Sequence, residues 1–144
     1  MGRKYKNSEE LWQEARSASR ADTSILTEIG RLLSGLIDNQ VRLKESDQII
    51  DYLLQFPDLL DVIPLAVRAA REHLPEAQLM LSLYRDPEAE DRYLTLYVRL
   101  KSYDESVIER IEKAEAEFLD YLADKEGWLQ LTTDFREPEA EDAL

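Results

Sequence analysis

Ala77-Gln78-Leu79-Met80-Leu81-Ser82-Leu83-Tyr84-Arg85-Asp86-Pro87-Glu88-Ala89-Glu90-Asp91-Arg92-Tyr93-Leu94-Thr95-Leu96-Tyr97-Val98-Arg99-Leu100 is the stretch on which the fold turns. Leu79, Leu81 and Leu83 alternate with Gln78, Met80, Ser82 and Tyr84; Leu94, Leu96, Val98 and Leu100 alternate with Tyr93, Thr95, Tyr97 and Arg99. Successive side chains of a strand point to opposite faces, so a period of two puts the leucines of each run on one side. Asp86-Pro87-Glu88-Ala89-Glu90-Asp91 has the turn chemistry of a hairpin with a longer loop. The segment therefore predicts a two-stranded antiparallel ribbon. One side is dry leucine and the other carries Met80, Tyr84, Tyr93 and Tyr97.

Upstream the apolar period lengthens to that of a helix. Leu59, Leu60, Ile63, Leu65, Val67, Ala70 and Leu74 fit one helix or two short ones, with Pro64 in or near a first turn and Pro75 beyond the end. Ser46 and Asp47 offer a cap for a helix that Pro57 stops near Gln55. Ile25, Leu26, Ile29, Leu32, Leu33, Leu36 and Ile37 make an amphipathic stripe opening at Thr23 or Ser24. Gly30 and Gly35 inside it cost about 1 kcal/mol each relative to Ala, which points to close packing or a local break. Ser8 to Ala21 reads as a further short polar helix.

Downstream, Ser102 and Glu105 match a capping box, and Val107, Ile108, Ile111, Ala114, Phe118, Leu119 and Leu122 predict a helix of about five turns ending near Gly127. Trp128 to Phe135 reads as a last strand, and Glu137 to Leu144 as a solvated, loose tail. The expected class is α+β: N-terminal helices, then a helix-strand-strand-helix-strand unit with a small antiparallel sheet. The third strand is expected beside the first, with helices on one face. The whole is expected to be one domain, made of a helical arm (1–50), an acidic α+β unit (51–136) and the tail (137–144).

The net charge of −13 is unevenly spread: eight Lys/Arg balance eight Asp/Glu in residues 1–50, while ten face 23 in residues 51–144. So acidic a surface repels phosphate backbones and anionic lipid, which argues against nucleic acid and membrane as partners. Any nucleic-acid contact would fall to Arg3, Lys4, Lys6, Arg16 and Arg20. The chain has no cysteine, hence no disulfide, no thiolate nucleophile and no finger-type zinc site; a reducing cytoplasm fits. No uncharged stretch approaches the 18 residues that a membrane helix needs.

Catalytic and cofactor signatures are missing from the sequence. Glycines at positions 2, 30, 35 and 127 match neither G-x-x-x-x-G-K-[ST] nor G-x-G-x-x-G, and no G-x-S-x-G elbow accompanies the single histidine, His73. His73 instead suits the C-terminus of its helix, where the macrodipole favours a cation. Asp86, Glu88, Glu90 and Asp91 are the weak metal candidates, because four carboxylates on one turn offer oxygen to a hard cation; they lack EF-hand spacing. Glu109, Glu112, Glu115 and Glu117, beside Arg110 and Lys113, read as an exposed, partly paired helix face.

Phe56-Pro57-Asp58-Leu59, the alternating strand after it, Asp86-Pro87-Glu88 and the long helix that follows resemble a group of small uncharacterised bacterial proteins, over roughly Phe56 to Arg136. The resemblance implies the same order of elements and no site residues; residues 1–50 fall outside it.

The sequence thus points to a non-enzymatic protein–protein interaction or regulatory protein, without cofactor. Its interface candidates are Met80, Tyr84, Tyr93 and Tyr97 on the ribbon and Leu32 and Leu36 on the stripe, and its partner is another protein or a second copy. The alternative is a cation-dependent enzyme or metal-binding protein using the hairpin loop.

Overall fold

A computed structural model describes residues 24–88 and 90–140. In chain order the elements are α1 (24–38), β1 (Val41–Leu43), α2 (Ser46–Gln55), a 3-10 turn (Pro57–Leu59), α3 (Val62–His73), β2 (Gln78–Arg85), β3 (Arg92–Arg99), α4 (Ser106–Ala116), α5 (Leu119–Leu122) and β4 (Leu129–Thr132). The helix expected over Ser8–Ala21 lies outside the described residues.

The leucine ribbon forms. β2 and β3 pair antiparallel with Leu79 opposite Val98, Leu81 opposite Leu96 and Leu83 opposite Leu94. Leu79, Leu81, Leu94, Leu96 and Val98 are all at most 1% exposed, so this face is dry. Ile49 and Leu53 of α2, Ile63 and Ala66 of α3, and Val107, Ile111 and Ala114 of α4 belong to the same core. Burying each large aliphatic side chain contributes roughly 1.5–3 kcal/mol, which makes this layer the main source of stability.

The sheet departs from expectation at both edges. It has four strands in the order β1-β2-β3-β4, and only the central pair is antiparallel: β1 joins β2 and β4 joins β3 in parallel. The last strand consequently sits beside β3, because the free edge of β2 is already taken by Val41-Arg42-Leu43. Each outer strand is linked to its neighbour by a helical crossover, α2–α3 on one side and α4–α5 on the other. Both crossovers lie on the leucine face, yet they run along strands of opposite direction while stepping the same way across the sheet. Two such crossovers have opposite hands, so one is left-handed, against the strong preference for right-handed connections.

Local chemistry explains several boundaries. α1 buries Ile29, Leu33 and Leu36 along one stripe. Gly30 and Gly35 would meet nothing within 4 Å if they carried a Cβ, so they mark neither close packing nor a break. The glycine that closeness requires is Gly127, whose Cβ would lie 2.7 Å from Leu59 Cδ1 and 2.8 Å from Phe56 Cβ. Glu45, in the left-handed region at φ 51°, precedes α2 in place of the expected Ser46 or Asp47 cap. Pro57 ends that helix as read, and Pro64 falls in the first turn of α3, where a missing N–H costs nothing.

The capping box of Ser102 and Glu105 is replaced by Asp104, whose Oδ1 accepts the Ser106 N–H at 2.8 Å and the Ser106 hydroxyl at 2.5 Å. The expected five-turn helix is interrupted at Phe118 (φ −120°, ψ −4°), a fully buried ring between α4 and α5. Among the described residues no helix is long and apolar enough to cross a membrane.

Candidate functional site

Alternation along the four strands sets a second face opposite the leucines, arranged in cross-strand rows. Tyr84 of β2 faces Tyr93 of β3, with ring centroids 4.9 Å apart and planes inclined by 30°. Leu94 stands opposite Leu129, and by the alternation that buries Leu129 and Leu131, Trp128 falls on this side level with Tyr93. The next row pairs Ser82 with Thr95; the third runs Arg42, Met80, Tyr97; the fourth pairs Gln78 with Arg99. Tyr84 is 39% exposed and Trp128 44%, whereas Met80 is 4% and Arg99 5%. One end of the face is aromatic and open, and the other is closed.

The closing element is a strap, residues 133–140, which folds back over the end of the sheet. Arg99 donates from its Nη2 to Asp134 Oδ2 at 2.7 Å and from its Nη1 to Glu139 Oε1 at 3.1 Å. Gln78 grips the backbone of Glu139 at both groups: its Nε2 donates to the carbonyl at 3.0 Å and its Oε1 accepts the N–H at 2.8 Å. Arg42 donates to the Ala140 carbonyl at 2.9 Å and its Nη1 lies 3.5 Å from Glu139 Oε2. Nearer the sheet, Tyr103 donates its hydroxyl proton to the Arg136 carbonyl at 2.5 Å and accepts from Leu100 N–H, while its ring packs on Phe135 at 5.4 Å. Of the expected loose tail, residues 137–140 are exposed or half-buried but held by directional hydrogen bonds in place of apolar burial, and residues 141–144 lie outside the described residues.

These contacts set the electrostatics. Burial pushes the Asp134 carboxyl up, but hydrogen bonds from Arg99 and the Arg136 N–H, with the Arg99 charge, outweigh it and leave Asp134 below the usual carboxylate range. The same pairing with Asp134, and then Glu139, holds the Arg99 guanidinium above its ordinary value. Burial raises the hydroxyls of Tyr93 and Tyr97, reinforced at Tyr97 by the nearby Asp134 carboxylate.

Beside the strap, along the outer edge of β1, runs an open groove of about 1140 Å³. Arg42, Lys44, Arg71 and Lys101 line it, with Met80 also in its wall, Glu139 at its rim and Glu76, which pairs with Arg110, on the same lining. Lys44 and Lys101 have no ion-pair partner among the described residues. Arg71 donates to the Asn39 carbonyl.

The other candidates are dispersed. Leu36 is buried in the core at 5% exposure and offers no surface; Leu32 is half-buried in a second groove between α1 and α3. Met80, likewise, is covered rather than presented. Asp86 spends its carboxylate on the Glu88 N–H at 2.9 Å, closing an Asx-type turn, and Glu90 stands in the left-handed region at φ 54°. The hairpin's Asp86, Glu88, Glu90 and Asp91 do not bring three ligand atoms together. Among the described residues the group that does is Glu72, His73 and Glu117, where His73 Nε2 and Glu117 Oε2 lie 2.5 Å apart across α3 and α4. Of the remaining glutamates of that helix face, Glu109 pairs with Lys113 at 3.2 Å and Glu115 Oε2 accepts the outward Leu131 N–H at 3.4 Å, occupying a donor on the free edge of β4.

Sequence reading missed the strap and the groove. Both depend on contacts between residues 30 to 98 positions apart, which no local pattern encodes. Scans against protein-family models, curated proteins and solved structures find no match to this chain.

Proposed function

We propose that this is a non-enzymatic interaction protein that docks another protein surface on the aromatic end of its sheet. The observation that carries the reading is the stacked Tyr84–Tyr93 pair, with Trp128 level with it, on a face that the described helices leave to the strap alone. Tyrosine and tryptophan supply large contact area at low entropic cost, and a buried aromatic cluster inside a polar rim is what a binding hot spot needs.

The rim selects the partner's charge. Asp86, Glu88, Glu90 and Asp91 surround the hairpin end next to the tyrosines and outnumber Arg85 and Arg92 there. A partner with an apolar centre ringed by Lys or Arg suits this end; a phosphate backbone is repelled. A second copy of the chain would have to offset acid against acid, so a different polypeptide is the better fit.

Native mass spectrometry of the tagged full chain isolated from its own cells tests this. The expected result is a stoichiometric complex that the double substitution Tyr84→Ala, Tyr93→Ala loses while the thermal melt stays cooperative. A chain that runs alone at 16.8 kDa, or a complex indifferent to both substitutions, sinks the reading.

A further inference from the structure

We propose that the basic groove along β1 is a second binding site, for an extended acidic segment of a partner polypeptide, and that the chain's own strap is its built-in occupant. The inference uses the opposite end of the sheet from the aromatic pair and does not depend on it.

Charge is the first argument. On a chain of net charge −13, Arg42, Lys44, Arg71 and Lys101 converge on one cavity, where the acids are Glu139 and Glu76, the latter already paired with Arg110. Gathering like charges is unfavourable unless an anion completes the site. The second argument is that one anion is already there. Glu139 sets its carboxylate between Arg42 and Arg99, and Gln78 reads the backbone N–H and carbonyl of the same residue, as a neighbouring strand would. A side chain that grips both backbone groups recognises an extended polypeptide, not a free carboxylate or phosphate.

The third argument is incompleteness. Glu139 engages Arg42 and Arg99, while Lys44 and Lys101 are left without an ion-pair partner among the described residues and the groove keeps about 1140 Å³ open beside the strap. β1 is also an edge strand three residues long, paired on one side alone, so its outer backbone groups are available to an added strand. An acidic segment running along β1 reaches the cations the strap does not use, and displaces Glu139 to do so. The strap then sets the threshold: it competes intramolecularly with anything weaker than itself.

Fluorescence anisotropy on the full chain tests the site, with the labelled hexapeptide Glu-Pro-Glu-Ala-Glu-Asp, the sequence of residues 137–142, as the probe. Glu139→Gln loosens the strap and is expected to tighten peptide binding about tenfold over the unsubstituted chain. Lys44→Glu and Lys101→Glu are expected to weaken it at least tenfold with the thermal midpoint unchanged, and binding should fall as salt is raised. A hexapeptide with glutamines in place of its acids should not bind. Three results overturn the proposal: no anisotropy change at millimolar peptide with Glu139→Gln; equal binding of the glutamine peptide; or displacement of the probe by oligothymidylate at concentrations where the acidic peptide, unlabelled, fails to compete.

Discussion

On the leucine side of the β2–β3 hairpin, residues from every second position meet apolar side chains of α2, α3 and α4. On the other side the same two strands are met by a strap of eight residues, through guanidinium, amide and carboxylate groups. The first closure is non-directional and tolerates any neighbour of suitable volume, so it can be read from the sequence as a period. The second is directional and works only if particular donors meet particular acceptors, so it has no period to read.

The sharpest way to break the comparison is to delete matter from each side. Leu81→Ala removes a fully buried side chain opposite Leu96 and should cost about 2–5 kcal/mol in urea unfolding, since the cavity left behind adds to the lost transfer energy. An equal cost from truncating Tyr84, half out of the sheet, would mean that both faces are core and that the open end is not open.

A smaller effect tests the strap. Asp134→Asn keeps the shape but removes the charge paired with Arg99, and at neutral pH it should cost roughly 1–3 kcal/mol, the range for a charge-assisted bond with one partner left partly buried. The pH dependence has a definite sign. The Asp134 pKa is lower folded than unfolded, so its contribution is complete above the unfolded value near 4 and fades as pH drops through the folded value. Urea midpoints of the two proteins should therefore differ at pH 7 and draw together as acid protonates Asp134 in the folded chain. A gap that stays unchanged through the whole acid titration would assign the loss to packing rather than to the ion pair.

How far the sequence could be read follows from the same distinction. Long alternation from Leu79 to Leu100 and the 3.6-residue stripe of Ile29, Leu33 and Leu36 each repeat often enough to identify an element and its buried side. Val41-Arg42-Leu43 repeats only once, so β1 was invisible, and with it the parallel edges and the displacement of β4 to β3. The break at Phe118 was hidden because its ring keeps helical spacing with Ala114 and Leu122 while its backbone does not keep helical angles. Of the candidate site, Tyr84, Tyr93 and Tyr97 were placed on one face correctly by alternation. Met80 and Leu36 were not surface, because burial at those positions is decided by segments far along the chain. Residues 133–140 carry four acidic or basic groups and one exposed aromatic, a composition that ordinarily marks a solvated end; what fastens them is the arrangement of Gln78, Arg99 and Arg42 across three strands.

The finest test concerns the aromatic end alone. Tyr84 and Tyr93 are a directly opposed cross-strand pair with rings stacked at 4.9 Å, and both lie beyond the reach of the strap. If that end is free surface, the two rings gain only what a solvated cross-strand pair gains. A double-mutant cycle with Tyr84→Ala and Tyr93→Ala should return a coupling of about 0.5–1 kcal/mol in the isolated chain. Adding the partner should enlarge the coupling, because water leaves both rings at once when a surface docks on them. A cycle that closes at zero with the partner bound would show that the stack is an incidental feature of strand register, and the contrast between the two faces would then reduce to packed side against unpacked side.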